Sequence, residues 1–327
     1  MTRAAILPAG PDPFLLAYWF RNFARVWSSE VDELHVLVCG QADPTAQEYI
    51  VDRALAVSNP GLSVNIRFLK QRLDHGQALG LLMDRVTADH VVFLEDDAYV
   101  RRTGEIAARF HRLENGVDVI GGPRGNASME IIAAAETRFG EVWTASSGES
   151  GHALWPCFLF ARRDVLEATD RHYGARNWTT GEMVGGLNLT ARSPLSADTF
   201  GSATYQLRAN KARIEVESQY RITNTNQMRE WVTDAPWFHV GSLSSGYGNV
   251  LGDDAGSLST NEYEGADWAR RLSWWERFAR TADGLPDHLA HYRAEIASYV
   301  ERARIGRSDI DGWTQAYQGW ITWQETP

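Results

Sequence analysis

Along the first hundred residues, short apolar runs alternate with stretches of helical periodicity. Ala4 to Leu7, Leu34 to Val38, Ser63 to Leu69 and Val91 to Leu94 read as strands, and the continuous apolar run Val91 to Leu94 is that of a strand covered on both faces. In the third run Val64, Ile66 and Phe68 alternate with polar residues, the pattern of a half-covered strand. Between the runs, Leu15, Tyr18, Trp19, Asn22, Phe23 and Val26 follow Asp12-Pro13, an N-cap with proline at the first helical position. Asp43-Pro44 opens a second run through Ala46, Ile50, Val51 and Ala54, and Asp74-His75-Gly76 a third with Ala78, Leu81, Leu82 and Val86 on one face. This alternation predicts a parallel, doubly wound α/β sheet with right-handed crossovers.

Beyond residue 97 the pattern predicts a helix from Ile106 to Leu113 and a strand from Val117 to Ile120 that ends in Gly121-Gly122-Pro123-Arg124-Gly125. A polar loop, Ala145 to Gly151, precedes a strand running into a short helix between Leu154 and Leu166. From Asn261 onward apolar and aromatic residues fall at helical spacing, so residues 259–327 are expected to form two or three helices packed on a domain of residues 1–258. Six of the 13 tryptophans lie in that tail. Packing accounts for them; an acceptor groove or a homo-oligomer interface through these helices is the other reading.

Composition narrows the classes. At 327 residues and 44% hydrophobic content the chain can bury a sizeable core, and 42 acids against 32 bases give a net charge of -10, which argues against nucleic acid as a partner. Cys39 and Cys157 stand in apolar contexts without metal or redox spacing and read as reduced core residues of a cytoplasmic protein. No window approaches the roughly 20 apolar residues of a membrane span, and the apolar stretch at the N-terminus is too short for a signal peptide. The Asn126, Asn177 and Asn188 sequons are therefore taken as chance.

The candidate chemistry centres on Glu95-Asp96-Asp97, which follow the fourth apolar run directly. Unpaired carboxylates are too costly to bury, so the strand is expected to end where they begin, and the carboxyl ends of strands in open α/β sheets are where ligands bind. Alternation puts Glu95 and Asp97 on one side and Asp96 on the other, so that the first two could share a hard cation. A strand meeting a solvated turn is the plain alternative.

With its strand, Asp-Gly turn, helix and hydrophobic strand ending in an acidic triplet, the stretch DHGQALGLLMDRVTADHVVFLEDD resembles the GT-A-fold glycosyltransferases, in particular the inverting family-2-like enzymes, over roughly residues 3 to 245. The resemblance implies a mixed, mostly parallel GT-A sheet, with residues 1–125 binding a nucleotide-diphosphate sugar and residues 126–258 the acceptor. Glu95-Asp96-Asp97 would stand for the family's D-x-D motif, with Glu95 and Asp97 on Mn²⁺ or Mg²⁺ and Glu95 and Asp96 against the donor. Pro8, Ala9 and Gly10 would line the donor, or form a plain strand-to-helix turn. Cys39 stands where the family carries an acid that reads the base, and Arg72, Asp74 and Gly76 lie where the diphosphate would pass. His239 would return to the metal, the competing reading being a core histidine, and the glycine- and serine-rich run Ser242 to Gly256 would cover the donor.

For general base the resemblance implies Asp198, in SADTFGSATYQLRANKARI, ahead of a helix with Phe200, Tyr205 and Leu207, a turn near Asn210 and a strand from near Arg213. A helix N-cap is its plain role, and Glu182 is the competing base. Trp155 is either core or a platform for a sugar ring. The expected activity is metal-dependent transfer of a sugar from a nucleotide-diphosphate donor to a carbohydrate or other hydroxyl. Two alternatives stay open. A sugar-phosphate nucleotidyltransferase would show a glycine-rich loop with Arg and a downstream Lys after the first strand, which PAGPDPF lacks. An inert carbohydrate-binding relative would keep the fold and lose ligands or base.

Overall fold

The computed structural model describes residues 1–221, except 12, 43, 58, 125, 126, 141, 147 and 149, together with residues 235–239; at 13, 14, 18 and 45 it describes the backbone alone. The expected N-caps Asp12 and Asp43, the Asn126 sequon, the run Ser242 to Gly256 and the tryptophan-rich helices lie outside the described residues.

In chain order the elements that build the site are β1 (Arg3–Ala9), α1 (Pro13–Val26), β2 (Glu33–Cys39), α2 (Pro44–Leu55), β3 (Ser63–Leu69), α3 (His75–Met83), β4 (His90–Phe93) and β5 (Ala98–Val100). They are followed by α4 (Glu105–Glu114), β6 (Val119–Gly121), β7 (Pro123–Arg124), α5 (Met129–Phe139), β8 (Ala153–Leu154), β9 (Leu159–Arg162) and α6 (Arg163–Glu167). Last come β10 (Arg176–Trp178), β11 (Leu195–Ala197), α7 (Gly201–Ala209), β12 (Ile214–Val216) and β13 (Trp237–His239).

Seven strands form one mixed sheet in the order β12-β6-β9-β4-β1-β2-β3. All run parallel except β9, which is antiparallel to both β4 and β6. The continuous apolar runs are explained by two-sided burial: in β1, Ala5 and Leu7 enter one core and Ala4 and Ile6 the other, and in β4 Val92 faces opposite to Val91 and Phe93. Residues of α1, α2 and α4 pack on the first side, and residues of α3 and α7 on the second. β3 is the sheet edge, and its alternating sequence matches its half-exposed burial.

Two local expectations change. In α3 the buried face is Ala78, Leu79, Leu82 and Met83, whereas Leu81 points outward with 43% exposure and Val86 is buried beyond the helix end. The spacing 78, 79, 82, 83 is itself an i, i+1, i+4, i+5 stripe, so two stripes competed in the sequence and the other one packs. The second change is β5, which continues the chain just after the acidic residues and pairs antiparallel with β13, matching His239 to Ala98. From α1, the buried Asn22 clamps β5: its Nδ2 donates to the Val100 carbonyl at 2.8 Å and its Oδ1 accepts from the Val100 amide at 3.0 Å. A polar residue at an otherwise apolar helical position is thereby fully used. Among the described residues no helix is long and apolar enough to cross a membrane.

Candidate active site

The acidic residues sit at the carboxyl end of β4, as expected, but they are not solvated. Asp96 and Asp97 are 2% and 1% exposed. The strand ends ahead of them as expected, and their burial is tolerated because each has partners supplied from far along the chain. Asp96 Oδ2 accepts from the Gly10 amide at 2.8 Å, tying the acidic turn to the turn after β1. On the other side Glu95 and Asp97 converge on His239, whose Nε2 is 2.8 Å from Glu95 Oε2 and 2.9 Å from Asp97 Oδ1. The backbone register delivers this contact: β13 pairs with β5, and the His239 amide donates to the Tyr220 carbonyl at 3.0 Å.

Charge at this cluster is mutually enforced. Burial pushes the Glu95 carboxyl up, but the charge and hydrogen bond of His239, with His75 and Arg124 behind it, outweigh burial and hold it at about 2. Burial likewise favours the neutral His239 ring, and Asp97 and Glu95 override it, raising the imidazole to about 9. The site without a cation is therefore an ion-paired cluster at neutral pH.

Glu95, Asp96, Asp97 and His239 line a cleft of about 400 Å³, the size class of small-molecule sites. Pro8, Ala9, Gly10, Cys39 and Arg72 line it too, so the ends of β1, β2 and β3 meet there as expected. Asp74 and Gly76 are not among the lining residues, and the structure gives them other work. Asp74 caps α3 in a reciprocal box, accepting from the Gln77 amide at 3.0 Å while Gln77 Oε1 accepts from the Asp74 amide at 3.3 Å. At Gly76 a Cβ would lie 1.8 Å from Gly174 Cα, so the glycine is required by close backbone packing.

Sequence reasoning missed His75, Arg124 and Arg221, which complete the lining. His75 Nδ1 lies 3.7 Å from Glu95 Oε1. Arg124, just past the end of β6 and paired through β7 with β8, was detectable as a cation at a strand's carboxyl end. Trp155 belongs to the core. It is almost wholly buried yet borders the cleft, edge-on to His239 at 4.5 Å, with the Arg124 and Arg221 guanidinium carbons 5.0 and 5.7 Å from its ring.

Of the two base candidates, Asp198 is the one joined to the cleft, through an ion pair of its Oδ2 with Arg124 Nη2 at 2.9 Å. It follows β11 but does not cap α7; that position belongs to Phe200, in the left-handed region at φ 67°, and Asp198 Oδ1 instead accepts from the Thr199 amide at 2.7 Å. Glu182 is exposed, lies outside the cleft lining and is held by the Thr179 amide and hydroxyl, which keep its carboxyl below the usual range.

No protein-family model matches the chain, and no curated protein matches it. Among solved structures it is similar to one described as a mycobacterial protein, at 20% identity over 51% of this chain and 55% of that one, with a TM-score of 0.36. It is also similar to Mycobacterium tuberculosis glucosyl-3-phosphoglycerate synthase in complex with Mg²⁺ and UDP, at 20% identity over 66% and 68% of the two chains and a TM-score of 0.38. The same enzyme with Mn²⁺, UDP-glucose and phosphoglyceric acid aligns at 21% identity over 51% and 59%, with a TM-score of 0.35. The chain spans little more than half the length of the first of these structures. Likenesses at these TM-scores assign neither an activity nor a substrate to the chain.

Proposed function

We propose that the protein is a metal-dependent glycosyltransferase of the GT-A type, moving a sugar from a nucleotide-diphosphate donor to an acceptor hydroxyl with inversion. The observation that carries the reading is the convergence of Glu95, Asp97 and His239, from segments more than a hundred residues apart, at the sheet's carboxyl end inside the cleft. These residues fit a divalent cation, Mn²⁺ or Mg²⁺. Two carboxylate oxygens lie within 2.9 Å of the buried Nε2 of His239, while its Nδ1 makes no hydrogen bond. When bound, the cation supplies charge to offset that developing on the departing diphosphate.

Around that site the chain's own groups divide the work. Glu95, Asp97 and His239 hold the cation, while Asp96 fixes the turn bearing Gly10, against which the donor lies. Arg72 at the end of β3 offers a guanidinium to the diphosphate oxygens. Asp198 takes the proton of the attacking hydroxyl, its carboxylate oriented by Arg124. No protein nucleophile is required in this mechanism. With Cys39 in the place of a base-reading acid, the donor's nucleobase is left to experiment.

A thermal-shift screen of nucleotide sugars with and without Mn²⁺ tests the reading. The correct donor at 100 times its dissociation constant stabilises the chain by about 2.7 kcal/mol, and only when the cation is present. Absence of any metal-dependent shift across uridine, guanosine, adenosine, cytidine and thymidine diphosphate sugars would falsify it.

A further inference from the structure

Cys157 has a place in the fold that its sequence context does not disclose. It lies between β8 and β9, 1% exposed, with its sulfur, a carboxylate oxygen of Glu95 and a ring nitrogen of His239 all within 4.8 Å of one another. The Glu95 backbone amide donates to the sulfur. His239 adds to this, 2% exposed and buried in the same spot, with a ring nitrogen, Nδ1, that makes no hydrogen bond.

We propose that this cluster is a mixed oxygen, nitrogen and sulfur centre that takes a borderline divalent ion, Zn²⁺ or Co²⁺, with Cys157 as third protein ligand beside Glu95 and His239. The proposal rests on the reading of Glu95 and His239 as cation ligands and goes beyond it in adding the thiolate and the class of ion. The donor set decides the class: a site of oxygens alone suits Mg²⁺ or Mn²⁺, whereas imidazole, carboxylate and thiolate together favour Zn²⁺ and its neighbours in softness. Three protein ligands with a fourth position open is the usual make-up of a reactive zinc site, and two of the three, Glu95 and His239, line the cleft. Around a tetrahedral ion with bonds of about 2.0–2.3 Å, ligand atoms stand roughly 3.5 Å apart, so the observed spread closes by little more than 1 Å. On loading, the sulfur–metal bond forms as the thiol proton leaves to solvent, and no electron changes hands.

The test loads the purified full chain with Co²⁺ and records its absorption, with Zn²⁺ affinity measured by chelator competition in parallel. The expected result is a thiolate-to-cobalt charge-transfer band in the wild type that survives Cys39→Ser and disappears in Cys157→Ser. Cys157→Ser also weakens Zn²⁺ at least about 10-fold. Cys157→Ala serves the same purpose if the serine variant fails to fold. A wild type without the band, a band that follows Cys39, or unchanged Zn²⁺ affinity in both Cys157 variants overturns the proposal. The two readings fail separately. A band without Mn²⁺-dependent donor binding leaves the sulfur centre standing and removes the donor reading, and donor binding without the band does the reverse.

Discussion

Replacing His239 with glutamine should destabilise the metal-free protein by an amount that depends on pH in a defined way. In the wild type the ring is raised from an ordinary value of 6.5 to about 9, so its contribution to stability is fully present below pH 6.5 and is lost as pH rises through 9. Glu95 is depressed from 4.5 to about 2, so its share is present above pH 4.5 and lost as pH falls through 2. The cluster therefore stabilises most between about pH 4.5 and 6.5. The rise of the His239 ring from 6.5 to about 9 corresponds to about 3 kcal/mol, in line with the roughly 3–5 kcal/mol lost when a buried pair is broken from one side. For a domain of this size that lowers Tm by roughly 6–12 °C. Urea unfolding of wild type and His239→Gln in chelator-treated buffer at pH 5.5 and above pH 9 is the assay. The gap should be near 3 kcal/mol at the lower pH and shrink to under about 1 kcal/mol at the higher. A gap that does not change with pH would show that His239 is a neutral core residue and that the ion-paired account is wrong.

Three other substitutions address the cleft and its frame. Asp97→Asn removes charge but little volume, and should weaken Mn²⁺-dependent donor binding by at least about 10-fold while leaving metal-free donor binding alone; calorimetry showing equal affinity with Mn²⁺ would take Asp97 out of the site. Asp198→Asn should leave donor affinity near wild type and cut transfer by about 10²–10⁴-fold, with Glu182→Gln within twofold of wild type. The opposite pattern would move the base to Glu182, and no effect from either would end the inverting mechanism. Gly76→Ala should cost about 3 kcal/mol or more, because its Cβ would collide with the Gly174 backbone; wild-type stability would mean that the loop at Gly174 shifts freely.

What could be read from the chain in advance follows the range of the forces involved. Strands β1, β2 and β4 were legible because both faces are buried and every residue in the run is constrained at once. The α7 segment was legible because its turn at Asn210 is set by near neighbours. The burial of Asp96 and Asp97 was not, because its cost is offset by Gly10 and His239, groups that lie 86 and 142 positions away. The same holds for β5, whose pairing partner is Trp237–His239. Asp198 looked like a helix cap from its spacing alone; the left-handed turn at Phe200, which starts the helix two residues later, is a tertiary choice that frees the carboxylate for Arg124.

The pairing of β5 with β13 also orders events in time. Glu95 and Asp97 leave the ribosome some 140 residues before His239, an interval of roughly 7–28 seconds at ordinary rates of synthesis. Through that interval Glu95 and Asp97 lack the one imidazole that lies within 2.9 Å of both, and two carboxylates dehydrate only at high cost without it. Water must therefore occupy the floor of the nascent cleft until the returning strand brings the imidazole. Closing that floor is a late step of assembly, timed by the arrival of a single residue.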